Sequence, residues 1–334
     1  MRRVVLRADY GKETGYGHFF RTLALAGYLK DEFKCCFFTF NHDTGGMPSD
    51  AHLKMIQKES DFFKVCDSSS FEEFNEEFIR LLQPQDIVVL DNYYFSTAFQ
   101  KRVKEKGCKL VCIDDMHDRP MVCDILITPS PLRREQFDLE VEAAFRGGIE
   151  WAFLREPFLK EPEGKRGHTQ AFPSRIVVAM GGSDAFNLTD KMTRTVRKAL
   201  PQAAIDVVCG VSVTVAQELA GTSGITLHRQ LTAEEMAALF DKADIAVLPA
   251  STVCIEAFSR HLPVIAGYCV DNQMDFYISG KAREWFAPLG SFRDDEEAIV
   301  RRMKDILEHK AIPSPPYINF SAQKKKIVKL FHNL

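Results

Sequence analysis

The stretch RIVVAMGGSDAFNLT, residues 175–189, decides the fold. Arg175–Ala179 reads as a strand with apolar residues for both of its faces, which belongs inside a sheet covered on both sides. Met180-Gly181-Gly182-Ser183-Asp184 is a turn of small residues, and a helical stretch begins at Leu188. Strand, small-residue turn and helix in that order open a parallel crossover unit. Working outward, further strands are predicted at Ile205–Cys209, Ile225–Leu227, Ile245–Val247 and Val264–Ala266, with helices between them.

The first half repeats the scheme. In RRVVLRADYGKETGYGHFFR, residues 2–21, a strand at Arg3–Leu6 runs into a glycine turn, and a helix is predicted over Phe19–Lys30. Strands follow at Cys35–Phe40, Ile87–Leu90, Leu110–Ile113 and Ile125–Thr128, with helical patterns such as Phe71–Leu82 and Thr97–Lys106. Two such series predict an α/β protein of two Rossmann-like, doubly wound parallel-sheet domains. Residues 156–174, with three prolines, two glycines and mixed charges, form the expected linker. That division gives an N-terminal domain 1–155, a second domain 175–318 and an amphipathic C-terminal helix 319–334 carrying Lys324, Lys325 and Lys326. Open α/β sheets bind ligands outside the carboxyl ends of their strands, so the expected site is a cleft that both domains face.

Composition narrows the classes of function. A chain of 334 residues suits two ordinary domains, and 46% hydrophobic residues suffice for two cores. The formal net charge of -3 leaves no basic excess for a phosphate backbone, which argues against nucleic-acid binding. No apolar run reaches the length of a membrane span. The N-terminal apolar stretch is short and interrupted by Arg7 and Asp9, as expected of a first strand rather than a signal peptide. Nine cysteines, an odd number with no CxxC pair, lie largely in or beside strand-like runs. Reduced thiols in the cytoplasm are the expectation.

Polar residues gather where strands end. Gly15-Tyr16-Gly17-His18 precedes the first helix, placing His18 at its first turn, where it either serves as a general base or caps its own turn. After the strand IVVL come Asp91, which could orient a water, and Tyr93, which could hold a hydroxyl or acyl group; an Asx turn with a surface tyrosine is the equal alternative. Asp114 and Asp115 fit capping and interdomain hydrogen bonds better than a metal pair, because the spacing to His117 and Asp118 matches no standard site. In the second domain Gly181, Gly182 and Ser183 form a phosphate-cradling turn without the ending of a Walker loop. Ser251 and Thr252 can cap a helix or bind a diphosphate, with Glu256 one turn along the same face in reach of a ribose diol. Asp271-Asn272-Gln273 follows the strand PVIAGY.

Seven segments in register, GYGHFFR, LDNY, IDDMHDRPMVCDILI, FLREPF, VVAMGGSDAFNLT, ASTVCIEAFSRHLPVI and DNQ, resemble the PseG family. Its members are UDP-2,4-diacetamido-2,4,6-trideoxy-β-L-altropyranose hydrolases of pseudaminic acid biosynthesis, related in fold to MurG and other GT-B glycosyltransferases. The resemblance runs from Arg7 to about Gln273. It implies a GT-B-like fold and a metal-independent enzyme, without cofactor, that hydrolyses a UDP-sugar at its anomeric carbon with inversion and releases UDP. It implies that His18 activates the water and that Tyr93 and Asn272 lie near the sugar. Gly182, Ser183, Ser251, Thr252 and Glu256 are implied around the diphosphate and ribose, with Gly15, Gly17, Arg21, Asp91, Gly181 and Gln273 completing the substrate-binding set. The family more often has glycine at the place of Ala250 and a bulkier aromatic at the place of Cys254-Ile255. The alternative expectation is a GT-B glycosyltransferase that passes the sugar from the same UDP donor to an acceptor hydroxyl.

Overall fold

A computed structural model describes residues 1–11, 14–44, 48–65, 70–140, 142–162, 173–182, 184, 186–210, 219, 221–309 and 311–334. The chain divides into two compact units, Met1–Arg155 with Ser321–Leu334, and Glu156–Phe320.

The first unit is built on a parallel sheet of β1 (Arg3–Ala8), β2 (Lys34–Thr39), β3 (Phe62–Val65), β4 (Ile87–Asp91), β5 (Lys109–Ile113), β6 (Ile125–Thr128) and β7 (Ala144–Gly147). Their order is β3-β2-β1-β4-β5-β6-β7, and the register sets Leu6 beside both Phe37 and Val89. Helices α1 (Gly17–Leu29), α2 (Asp50–Glu59), α3 (Phe71–Leu81) and α4 (Thr97–Glu105) make crossovers. Val5, Phe38, Phe78, Val88, Leu110 and Leu126 belong to one buried cluster on this sheet.

The second unit repeats the plan with β8 (Arg175–Ala179), β9 (Ala204–Cys209), β10 (Ile225–Arg229), β11 (Ile245–Pro249), β12 (Val264–Tyr268) and β13 (Ala287–Ser291), ordered β10-β9-β8-β11-β12-β13. Its helices are α5 (Leu188–Ala199), α6 (Ala233–Lys242), α7 (Thr252–Ser259), α8 (Met274–Ala282) and α9 (Glu296–Glu308). Ile176, Val178, Val196, Val207, Val247 and Ile265 share its core. The last helix, α10 (Phe320–His332), packs on the first unit: Phe331 lies against Phe33, and Gln323 Nε2 donates to Ala152 O at 3.4 Å. Among the described residues no helix is long and apolar enough to cross a membrane.

Three strands escape the apolar periodicity of the sequence, β3, β7 and β13, and all three are sheet edges. An edge strand is short and only partly covered, so it lacks the apolar run of a central one. β7 ends in a glycine, and β13 carries both Pro288 and Gly290.

In each sheet the strand order reverses next to the unit's first strand, between β1 and β4 and between β8 and β11. Such a switch point leaves a crevice at the carboxyl ends, because the crossovers on its two sides leave in opposite directions. At the first switch point a fully buried ion pair fixes the strand ends. Arg7 donates to Asp9 through Nε and Nη2 at 2.9 and 3.0 Å, with its guanidinium 4.2 Å from the Phe74 ring centroid. Asp9 in turn accepts the Phe40 N–H at 2.9 Å, and its carbonyl accepts Asn92 Nδ2 at 3.1 Å, so the ends of three strands are tied together.

In the second unit a backbone contact joins the turns that follow β8 and β9. A Cβ on Gly210, just beyond β9, would fall 2.0 Å from the Gly182 carbonyl oxygen, so the two turns touch through main chain alone. Gly210→Ala is expected to destabilise the protein by about 1–3 kcal/mol through overpacking, read as a lower denaturant midpoint. An unchanged midpoint would mean that the Gly182 turn yields freely.

Candidate active site

Asp91 is the last residue of β4 and is fully buried. Its Oδ1 accepts from His18 Nδ1 at 2.7 Å and Arg21 Nη2 at 2.6 Å, and its Oδ2 accepts from Arg21 Nε and Thr22 Oγ1, each at 2.7 Å. Helical spacing brings the donors together, because residues 18, 21 and 22 of α1 share one face. Burial alone would push the Asp91 carboxyl up, but the adjacent Arg21 guanidinium and His18 hold it well below the usual carboxylate range. Asp91 is therefore an anion. Two acceptors do not approach to 2.7 Å without a shared proton, so His18 carries its proton on Nδ1. Among the described residues Nε2 has no hydrogen-bond partner, which leaves its lone pair available as a base. The ring is only 4% exposed.

A second arm holds the same ring. Tyr93 meets His18 edge to face, with centroids 4.5 Å apart and planes at 88°. Its hydroxyl donates to Asp115 Oδ1 at 2.9 Å, and Asp115 Oδ2 accepts from Arg21 Nη1 at 3.1 Å. Asp114 turns back on its own loop and accepts the Met116 and His117 N–H groups. These bonds of Asp114 and Asp115 stay within the first unit, where the sequence had suggested interdomain bonds. Gly15 lies at φ 77 with its N–H on the Gly11 carbonyl at 2.8 Å, and Gly17 opens α1.

In the second unit the candidate residues collect on the ends of β8, β11 and β12, three neighbours in the sheet. Gly181, after β8, sits at φ 100, a left-handed backbone that favours glycine. Gly182 follows it, and Ser183 lies outside the described residues. Asp184 accepts the Leu188 and Thr189 N–H groups at 2.7 and 2.9 Å and so caps α5. Ser251 holds the N-cap position of α7 with no side-chain cap; its hydroxyl turns to the Pro249 carbonyl at 3.4 Å. The side-chain cap that Ser251 could make is therefore not formed, since its hydroxyl is turned to that carbonyl instead. Thr252 begins α7, and Glu256 lies one turn on, 9% exposed. Asn272 and Gln273 form a short helical turn with Asp271, in which Gln273 Oε1 accepts the Cys269 N–H at 2.8 Å.

Helix starts differ by location. Ser49, Ser70, Ser96, Thr232 and Asp295 cap α2, α3, α4, α6 and α9 with their side chains. By contrast α1, α7 and α8, which begin at the switch points or beside them, carry no side-chain cap, whereas α5, also at a switch point, is closed by Asp184. An uncapped helix start leaves N–H groups without a side-chain acceptor, which an anion or polar ligand can use.

Comparison with solved structures decides the fold. MurG of Acinetobacter baumannii superposes over all of both chains with a TM-score of 0.61 at 13% identity. A UDP-GlcNAc 2-epimerase of Methanocaldococcus jannaschii, solved with UDP-GlcNAc and UDP, superposes over all of both chains with a TM-score of 0.64 at 10% identity. The chain has a GT-B fold. Among curated proteins it is 26% identical over 194 residues, 56% of this chain, to a UDP-2,4-diacetamido-2,4,6-trideoxy-β-L-altropyranose hydrolase of Campylobacter jejuni. It is also 25% identical over 289 residues, 82% of this chain, to an uncharacterised protein of M. jannaschii. These matches span 63% and 57% of the relatives' own lengths. No family model matches the chain.

Within the first unit the structure gathers His18, Arg21, Asp91 and Tyr93 around one ring, and within the second it places Gly181, Gly182, Ser251, Thr252, Asn272 and Gln273 on adjoining strand ends. Asp91 and Arg21 hold each other and the ring; neither is the open substrate ligand that the sequence suggested. Thr22, Asp115 and Gly210 are additions. Asp115 had a signal, since it follows a strand as Asp91 does; Thr22 had only its place beside Arg21. Replacing Asp91 by Asn should leave the buried Arg21 short of its main counter-charge and destabilise the protein by about 3–5 kcal/mol. Urea unfolding measures this, and a loss under about 1 kcal/mol would show that water or Asp115 compensates.

Proposed function

We propose that this protein hydrolyses a UDP-linked 2,4-diacetamido-2,4,6-trideoxy sugar at its anomeric carbon, with inversion, releasing UDP and the free sugar as in pseudaminic acid biosynthesis. The observation that carries this reading is the His18–Asp91 pair at 2.7 Å, a histidine with its Nδ1 proton fixed and, among the described residues, no partner on Nε2. The Campylobacter relative, hydrolase by name, supports the choice of reaction. The GT-B fold, seen with UDP-GlcNAc and UDP in a structural neighbour, supports the choice of nucleotide sugar.

In this reaction a water oxygen forms a bond to the anomeric carbon while the bond from that carbon to the diphosphate oxygen breaks. The water proton passes to His18 Nε2, and the electron pair of the broken bond leaves with UDP. Asp91 keeps the ring oriented and stabilises the imidazolium. The leaving phosphate has a last ionisation at a pKa of about 6, so it departs without a strong general acid. Uncapped N–H groups at α7 and the Gly181–Gly182 turn are matched to the charge that develops there. Ser183 and Thr252 add donors to the diphosphate, as does Ser251 once its hydroxyl turns from the Pro249 carbonyl, and Glu256 accepts from the ribose diol. Tyr93 and Asn272 serve the sugar, with Gly15, Gly17 and Gln273 shaping the loops around it. No metal or cofactor enters this scheme.

A two-carboxylate glycosidase would need an acid for a poor alkoxide leaving group, and UDP removes that need. The competing reading, transfer to an acceptor hydroxyl, uses the same base and the same nucleotide site. It is separated by product. Incubation with the UDP-sugar alone in oxygen-18 water should give free sugar bearing the label and unlabelled UDP, followed by mass spectrometry. UDP release only on addition of an acceptor would establish the transferase instead.

His18→Asn should slow turnover on the order of 10²–10⁴-fold while UDP still binds. Near-normal rates would remove the base assignment. Glu256→Ala should weaken UDP by about 1.5–3 kcal/mol, roughly ten- to 150-fold in Kd by calorimetry. Unaltered affinity would take Glu256 off the ribose.

A further inference from the structure

We propose that Asp115 is a positioning residue for the His18 base, acting through Tyr93 and Arg21; this rests on the proposed hydrolysis. The loop after β5 grips Tyr93 at both ends. Asp115 Oδ1 takes the phenolic hydrogen at 2.9 Å, and Arg119 Nη1 donates to the Tyr93 carbonyl at 2.5 Å. The grip is itself built: Asp114 accepts the Met116 and His117 N–H groups at 3.1 and 2.9 Å, with His117 in the left-handed region at φ 44. Tyr93 is thereby held perpendicular to the imidazole, at 4.5 Å between centroids.

This geometry restricts what Tyr93 does. Its only O–H hydrogen is donated to a carboxylate, so toward a substrate the phenol offers lone pairs and acts as an acceptor, not as an acid. Tyr93 therefore works chiefly by fixing the plane of the ring beside it.

Charge supplies the second part of the role. Asp91, Arg21 and Asp115 are bonded in one chain around the ring, two anions and one cation. Asp91 and Arg21 offset each other. Asp115 leaves a net negative charge that the imidazolium balances when His18 takes up a proton. Of the other charged groups on the loop, Asp114 is held by backbone N–H groups, and Arg119 is shared between the Asp118 carboxylate and the Tyr93 carbonyl. Arg21 Nη2 lies 3.0 Å from His18 Nδ1, so loss of Asp115 exposes the ring to a less compensated cation.

Asp115→Asn keeps the volume and removes the charge. Its kcat is expected to fall about tenfold or more, with KM and UDP affinity unchanged and the acid limb of kcat moved to lower pH. Tyr93→Phe, which loses only the tether, should reproduce the fall in kcat, and it serves alone if Asp115→Asn does not fold. The double variant should lose less than the product of the two single losses, since charge and tether act on the same ring. Wild-type kcat in either single variant, or a loss confined to KM, overturns the proposal.

A readout independent of turnover separates this from the functional assignment. If the unaltered protein releases no UDP from the sugar nucleotide, hydrolysis is wrong, and the role of Asp115 is then judged by NMR titration of the His18 ring. The midpoint in Asp115→Asn should lie at lower pH than in the unaltered protein, with the Nδ1 proton signal retained. An unmoved midpoint refutes the positioning role whatever the reaction.

Discussion

Four donors from one helix converge on the carboxylate of Asp91, and this arrangement governs the first unit. A carboxylate sealed from water must replace the whole of its hydration with protein donors, or it takes up a proton. Meeting that demand fixes α1 in rotation, since only one face of the helix carries residues 18, 21 and 22. It also fixes β1 next to β4, since the helix that follows the first strand must reach the end of the fourth. The glycine turn before α1 lets the chain double back sharply enough to start the helix over that strand end. The tautomer of His18 follows from the same constraint, because an anion at 2.7 Å can share only a proton that the ring supplies.

The second unit solves a different problem with the same topology. Under the proposed function it needs donors left unoccupied by the protein, and α7 and α8 begin without side-chain caps. Elsewhere serine, threonine and aspartate close the helix starts at a typical gain of about 1 kcal/mol each. Giving up that gain at neighbouring strand ends is unfavourable to folding and useful to binding. The separation of capped from uncapped starts is not complete, because α5 starts at the same switch point and is closed by Asp184.

Much of this was legible in the sequence, and what was not has a common cause. Central strands are apolar on both faces, so β1, β4, β8 and β11 announce themselves, and polar residues just past them mark the candidate site. Side-chain type is visible in a sequence; partnership is not. Asp91 and Arg21 look like ligands for a substrate until the strand order brings them together across 70 positions. Asp115 meets Tyr93 because β4 and β5 are neighbours, a fact of topology that no local pattern encodes. Gly210 owes its identity to the backbone of another turn, and edge strands lack the very periodicity by which strands are found.

A fold that serves both MurG and an epimerase does not by itself name a reaction. With UDP as leaving group, departure of the nucleotide needs only donors aimed at the diphosphate, and that part of the chemistry is common to hydrolysis and transfer. The outcome then turns on what removes the nucleophile's proton and on which nucleophile is admitted. In the proposed reaction His18 answers the first question for water and hydroxyl alike. The second depends on the side chains around the ring. Tyr93 stands edge-on to the imidazole with its hydroxyl tied to Asp115, and the ring is 4% exposed. On the proposed reading, so deep a burial favours a nucleophile as small as water over a sugar hydroxyl with its ring attached, because the smaller one displaces less of the protein that encloses the base.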